Sequence, residues 1–273
     1  RIKDTPIAES VVVGAGVGAA MAGLRPVVEL MSINFSLLAM DQIVNNAAKL
    51  LYMSGGQITV PLVIRTVSGG GNQLGASHSQ SLEGWYAQVP GLKVVAPSNA
   101  YDARGLLRQA LKDPNPVIFV EHSLLYGSRS QIPDQPYEVP IGSADVKRQG
   151  KDITLVAYSR MVQTVLRAAD ELAKEGIEAE VVDLRSLRPL DTDTVVESVS
   201  KTNHAVVVEE GWKTGGFGAE IVATIMEEAF DYLDAPVLRV AGKEVPMPYN
   251  KELEQAAIPS VAGVVAAAKS VLG

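Results

Sequence analysis

With three histidines and no cysteine, few groups in this chain of 273 residues can carry proton transfer or nucleophilic attack. The missing thiol excludes a disulfide framework, thiolate catalysis and a cysteine-based zinc site. His78 follows SGGGNQLGAS, a loop with four glycines at residues 68–77. Ser77 and Gln80 fit the S-x-x-Q capping box, which predicts that His78 sits in the first turn of a helix. The positive end of the helix dipole there disfavours imidazolium, and a neutral imidazole can pass one proton near neutral pH. A surface histidine beside a loop fits the same residues. His122 and His204 stand at strand ends and read as structural. No pair of carboxylates, no Ser/His/Asp set and no histidine cluster for a transition metal is recognisable by spacing.

Two other stretches bear on chemistry. In DTPIAE, Thr5 is placed to cap a helix, Pro6 to open it and Glu9 to complement its dipole, so Glu9 alone reads as a stabilising charge. Next, ESVVVGAGVGAAMAG contains Gly14, Gly16 and Ala19 in the G-x-G-x-x-A order of a dinucleotide-binding turn. That turn needs a strand, a full helix and a second strand ending in an acid about 20 residues on. Glu29 comes too early and leaves too short a helix. The fourfold recurrence of Gly14, Gly18 and Ala22, and of Ala15, Ala19 and Gly23, favours a helix with a side-chain-poor stripe that another backbone approaches closely. The glycine loop before His78 could cradle a phosphate, but it lacks the lysine-bearing Walker pattern.

These residues need a scaffold, and the apolar runs supply one. RPVVEL (25–30), VPLVIR (60–65), LKVVAP (92–97) and PVIFVEH (116–122) predict strands, continuous in hydrophobicity as parallel strands covered on both faces are. Helices are predicted over 34–53, 78–88 and 99–112, the last capped by Ser98 with Asp102 in its first turns. Residues 123–150 break the rhythm with Pro, Gly and Ser. It restarts with strands over 153–158, 179–184, 204–210 and 235–242 and helices over 160–175, 191–200, 217–232 and 260–272. The expectation is an α/β protein of two consecutive domains with mostly parallel sheets: residues 1–135, a linker at 136–150, and residues 151–273.

Composition agrees with a globular α/β chain, 47% hydrophobic and 20% charged. A net charge of −7 with no basic block argues against nucleic acid as a partner. No apolar run reaches the roughly 18 residues of a membrane helix, and no membrane partner is expected. The first residue is Arg, so native residues upstream are expected.

Taken in order, DTPIAE, VGAAMAGLRPVVE, NFSLLAMDQIVNNAAK, YMSGGQITVPLVIR, HSQSLEGWYAQVPGLKVVAPSNAYDARGLL, DLRSLRPLD and EVPMPYNKELE resemble the beta subunits of the thiamine-diphosphate-dependent decarboxylating component of 2-oxo-acid dehydrogenase complexes. The pyruvate dehydrogenase branch is the nearest likeness. The family carries a transketolase-like pyrimidine-binding domain followed by a transketolase C-terminal domain. The resemblance implies that Glu9 is the catalytic carboxyl hydrogen-bonded to the aminopyrimidine ring of thiamine diphosphate, where a secluded acid exchanges a proton with a ring nitrogen, a role worth roughly 10² to 10⁴ in rate. It implies that Phe35 stacks on that ring, that Ile7 and Met31 lie beside it, and that His78 faces the substrate or the lipoyl group during acyl transfer. Leu62, Ala110, Leu111, Asp113 and Asn115 match positions that hold potassium, mainly through backbone oxygens; ALKDPNP also reads as an ordinary helix stop. The valine-rich SVVVGAG departs from the family at the entry to this helix.

The chain has no G-D-G partner for Asn45 and Asn46, so Mg²⁺ and the diphosphate are expected on an alpha subunit, within an α2β2 heterotetramer. A 2-oxo-acid substrate and a lipoyl acyltransferase core complete the implied partners. The compartment implied is the bacterial cytoplasm or an organelle matrix or stroma. A branched-chain 2-oxo-acid or acetoin dehydrogenase beta subunit, a non-catalytic docking scaffold and a dinucleotide-binding oxidoreductase are the alternatives.

Overall fold

Two five-stranded sheets organise the chain in the computed structural model, which describes residues 2–273. The first contains β1 (Val27–Glu29), β2 (Val63–Ser68), β3 (Lys93–Val95), β4 (Val117–His122) and β8 (Ser186–Arg188) in the order β1-β2-β4-β3-β8. The second contains β5 (Asp145–Arg148), β6 (Ile153–Ala157), β7 (Ala179–Asp183), β9 (Ala205–Trp212) and β10 (Leu238–Gly242) in the order β10-β9-β6-β7-β5. All pairings are parallel except at one edge of each sheet, where β8 runs against β3 and β5 against β7. Every residue of β6 and β7 is buried, as expected of strands covered on both faces, but β1, expected to be covered likewise, is an edge strand that exposes Val27 and Glu29.

The two edge strands are the departures from the expected division. β5 lies within the stretch expected to be a linker, and β8 belongs by sequence to the second half but closes the first sheet. A buried ion-pair cluster reinforces the seam. Asp102, on α4 (Ala100–Ala110), meets Lys147 Nζ at 2.7 Å and Arg185 Nε at 2.9 Å.

Helix α1 (Glu9–Met21) runs straight through Gly14 and Gly16, which excludes the dinucleotide turn. Its buried face is Val13, Gly16, Val17 and Ala20. Gly16 is the position that requires glycine: a Cβ there would lie 2.6 Å from Val28 Cγ2. So the close approach within this chain is made by Gly16 against β1, not by the two fourfold stripes. The helix also starts later than expected. Its first residue is Glu9, preceded by Ala8 with no side-chain cap, and Thr5 and Pro6 lie outside it.

Three further helix expectations are corrected. Residues 34–53 are not one helix but a 3-10 segment (Ile33–Ala39), a π segment (Gln42–Ala47) and α2 (Leu50–Met53). Polar side chains explain the interruption: Ser36 Oγ takes the Ile33 carbonyl at 2.5 Å, and Asn46 Nδ2 reaches the Asp41 carbonyl at 3.4 Å, so they compete with the regular ladder. The helix expected at 78–88 is only α3 (Glu83–Ala87). At 99–112 the cap of α4 is Asn99, whose side chain accepts from Asp102 N at 2.9 Å, while Ser98 Oγ donates to Asp183 at 2.5 Å.

In the second half, α5 (Met161–Ala173) and α9 (Val261–Leu272) cover one face of the second sheet, and α6 (Thr192–Thr202) and α7 (Phe217–Glu228) complete the layers. The short α8 (Lys251–Ala257), capped by Asn250 and separated from α9 by Pro259, has no counterpart among the expected elements.

Candidate active site

The rings of Phe35 and His78 meet edge to face, centroids 5.1 Å apart and planes at 87°. Phe35 is half-buried on the 3-10 segment after β1, and His78 is exposed in a turn after β2. Both therefore sit beyond the carboxyl ends of adjacent parallel strands, where α/β sheets present their ligand sites.

His78 reaches this position without the expected helix. Its N–H closes a turn on the Gly75 carbonyl at 3.3 Å, and its Nδ1 lies 3.0 Å from Ser77 Oγ, which is therefore not capping a helix. Gln80, the other half of the presumed capping box, is used elsewhere. Its backbone N–H and its side-chain Nε2 both donate to Asn34 Oδ1, at 3.2 and 2.9 Å. Asn34 is buried and adjacent to Phe35, so this double bond ties the histidine turn to the aromatic segment. Asn34 carries no signal in the sequence and Gln80 only that of a capping residue, because an amide pair 46 residues apart leaves no local pattern.

Glu9 is the first residue of α1, and α1 packs directly on the segment that carries Phe35. Its half-buried carboxyl has no hydrogen-bond or ion-pair partner among the described residues. Close by in sequence to these two groups, Ile7 and Met31 leave 80% and 63% of their surface exposed, a cost in apolar area that a covering partner or cofactor would recover. An unpartnered acid, an aromatic and two unpacked aliphatic side chains suit a flat heteroaromatic ring with a basic nitrogen. Among the described residues no group of three or more His, Asp or Glu side chains is placed to hold a metal ion.

The five positions expected at potassium cluster at the end of α4. Arg25 Nη1 donates to the carbonyls of Leu111 and Asp113 at 3.0 and 3.2 Å. The Asp113 carboxyl accepts from Asn115 N at 2.9 Å and pairs with Lys93, and the Leu62 carbonyl accepts from Val117 N at 2.9 Å. The donors are hard oxygens, and the Arg25 guanidinium and the Lys93 ammonium already supply positive charge to them.

Behind the histidine loop lies a buried acidic seam between the sheets. Burial, reinforced by the nearby Glu210 and Glu209, pushes the Glu83 carboxyl up to about 7. Burial likewise raises Glu209 to about 7 against the pull of the Gly218 N–H and Arg239. Glu210 goes the other way: burial opposes its ionisation, but His122 at 3.1 Å, Arg160 and the Gly70 N–H hold it below the ordinary carboxylate value. His122, read as structural, is buried here and joins β4 of the first sheet to β9 of the second.

Comparison with known proteins places this geometry. Residues 1–128 match the family described as transketolase, pyrimidine binding domain, and residues 142–264 match transketolase, C-terminal domain. The chain is 54% identical over 273 residues to the mitochondrial pyruvate dehydrogenase E1 component subunit beta-2 of Oryza sativa subsp. japonica, covering 98% of this chain and 73% of that protein. It is 55% identical to the corresponding mitochondrial beta subunit of Drosophila melanogaster, covering 100% and 76%, and 52% identical to the pyruvate dehydrogenase E1 component subunit beta of Rhizobium meliloti, covering 99% and 59%. Among solved structures, a chain of a split gene transketolase, described as an inactive beta4 tetramer, superposes with a TM-score of 0.81 at 27% identity, over 97% of this chain and 82% of that one. Both halves of the fold and the sequence as a whole agree: this chain belongs to the family of pyruvate dehydrogenase E1 component beta subunits, built from a transketolase pyrimidine-binding domain and a transketolase C-terminal domain.

Proposed function

We propose that this chain is the beta subunit of a pyruvate dehydrogenase that, with an alpha subunit, decarboxylates pyruvate and acylates a lipoyl domain reductively. The single observation that carries the reading is the carboxyl of Glu9, unpartnered at the start of the helix that packs on the Phe35 segment. Thiamine diphosphate, when bound there, supplies the electron sink for decarboxylation.

The chain's own residues do the rest. Glu9 holds and moves a proton at a ring nitrogen. Phe35 stacks on the ring face, and Ile7 and Met31 flank it and exclude water. His78, fixed against Phe35, donates or accepts a proton where the acyl group passes to the lipoyl sulfur. The alpha subunit brings the Mg²⁺ and diphosphate sites in an α2β2 assembly, a lipoyl acyltransferase core is the downstream partner, and the oxygens of Leu62, Ala110, Leu111, Asp113 and Asn115 hold potassium. The working compartment in this reading is a bacterial cytoplasm or an organelle matrix.

Calorimetric titration of thiamine diphosphate with Mg²⁺ tests the shared site. The expected result is no saturable binding to this chain alone and stoichiometric binding once the alpha subunit is added. Equal binding without the alpha subunit contradicts the proposal, and an assembled pair that binds no cofactor does so equally.

A further inference from the structure

The loop that presents His78 has little to hold it from within. Residues 69–78 contain four glycines, three of them at positive φ (Gly69, Gly71 and Gly75), and Gln73 also stands at φ 54°. The neck is closed by one backbone bond, Gly69 N to the Gln80 carbonyl at 3.1 Å. A glycine-rich loop of this kind gains the most entropy on loosening.

From the first domain, Asn72 Nδ2 donates to Ser123 Oγ at 2.6 Å, and the bonds to the loop's backbone amides come from the second domain. The Glu254 side chain, on α8 and 0% exposed, accepts from Gly71 N at 2.9 Å, from Gln73 N at 3.2 Å and from Gln73 Nε2 at 2.9 Å. Glu210 accepts from Gly70 N at 2.7 Å. Three loop amides, at 70, 71 and 73, thus end on two buried carboxyl groups. The same stretch of the second domain forms the bed beneath them: a Cβ at Gly70 would lie 3.1 Å from Met247 Cε, and a Cβ at Gly75 would lie 2.4 Å from the Tyr249 ring.

We infer that Glu254, aided by Glu210, is a positioning residue for His78: from the C-terminal domain it holds the glycine loop in the one form that sets the imidazole against Phe35. Without the carboxyl, two backbone N–H groups and one side-chain amide lose their acceptor in a half-buried site, and the left-handed conformation of Gln73 loses the bonds that over-determine it. The effect should stay within the loop. Glu9 and Phe35 are held by α1 and the 3-10 segment, to which the Glu254 side chain makes no hydrogen bond among the described residues. The C-terminal domain thereby takes part in acyl transfer without contacting the acyl group. This inference rests on the reading of His78 as the acyl-transfer residue.

The test uses the reconstituted assembly carrying Glu254→Gln, with His78→Ala alongside. Hydrogen exchange of residues 69–78 reads the loop; CO₂ release with ferricyanide as electron acceptor and acetylation of a free lipoyl domain read the two half-reactions. Glu254→Gln keeps the volume but turns a donor toward the loop amides. Exchange in the loop should rise about tenfold and lipoyl acetylation fall about tenfold, while ferricyanide-coupled CO₂ release changes less than about twofold. Glu254→Asp, which keeps both oxygens, should lie between.

Unchanged exchange in Glu254→Gln overturns the inference. So does faster exchange with wild-type acetylation, when His78→Ala abolishes acetylation. If His78→Ala itself acetylates normally, the reading of His78 falls, and the hold on the loop is judged by exchange alone. Should Glu254→Gln fail to assemble, Gln73→Asn removes one bond without touching the buried carboxyl; an exchange rise of about threefold supports the inference and none overturns it.

Discussion

Asn34 and Gln80 are joined by two hydrogen bonds to a single oxygen, Asn34 Oδ1, from the backbone and side-chain nitrogens of Gln80. That amide pair sets the turn bearing His78 beside the segment bearing Phe35, and the edge-to-face contact of the two rings follows from it. Replacing Asn34 with Ala leaves both Gln80 donors without this acceptor in a half-buried position. We expect reductive acetylation of a lipoyl domain to drop about tenfold and the melting temperature by a few degrees. Wild-type acetylation in this variant would show that His78 is placed by other means.

Phe35 contributes a flat apolar face. Phe35→Leu keeps the bulk and loses the ring, which should weaken thiamine diphosphate by about three- to tenfold in cofactor titrations while turnover at saturation falls less. Undiminished affinity would remove Phe35 from the cofactor site.

The acidic seam makes stability depend on pH. Glu83 and Glu209 have folded-state values near 7, against ordinary values near 4.5. Folding therefore takes up protons between these limits. The favourable contribution is full below about 4.5 and is lost as pH rises through about 7. Glu83→Gln removes one of the two groups. The variant should gain on wild type in melting temperature as pH goes from 5 to 8, by about 3 °C. A difference that does not vary with pH contradicts the burial of an ionisable group at 83.

Arg25 and potassium compete for the same oxygens in the proposed site. Arg25→Met releases the Leu111 and Asp113 carbonyls. Exchanging sodium for potassium should then raise the melting temperature by about 2 °C more in the variant than in wild type. Identical responses to the two salts in both proteins would argue for an ordinary helix stop.

How much of this was legible beforehand follows from the range of each interaction. The strands β4, β6 and β9 announce themselves because their buried stretches are mostly apolar runs, VIFV, ITLVA and AVVV. Glu9, Phe35 and His78 stand out as candidates only through the resemblance; spacing alone reads Glu9 as a helix-start charge and leaves His78 open to a surface role. The capping box at Ser77 misled because Gln80 is recruited by Asn34, a tertiary bond that overrides a local signal. The interrupted helix after Ser32 misled for a related reason: side chains of Ser36 and Asn46 take carbonyls that periodicity assigns to the backbone. Glu254 was invisible, since its partners at the glycine loop lie 181 to 183 residues away and the short helix carrying it was not foreseen.

The carboxyl at position 9 carries the most weight in the proposed chemistry. Glu9→Gln in the assembled enzyme keeps the size of the side chain and removes its acid–base function. Pyruvate turnover should fall by roughly 10² to 10⁴, with thiamine diphosphate still bound in calorimetric titration. Turnover within about twofold of wild type would contradict the assignment of Glu9, and with it the reading of Glu9, Phe35 and His78 as the cofactor site.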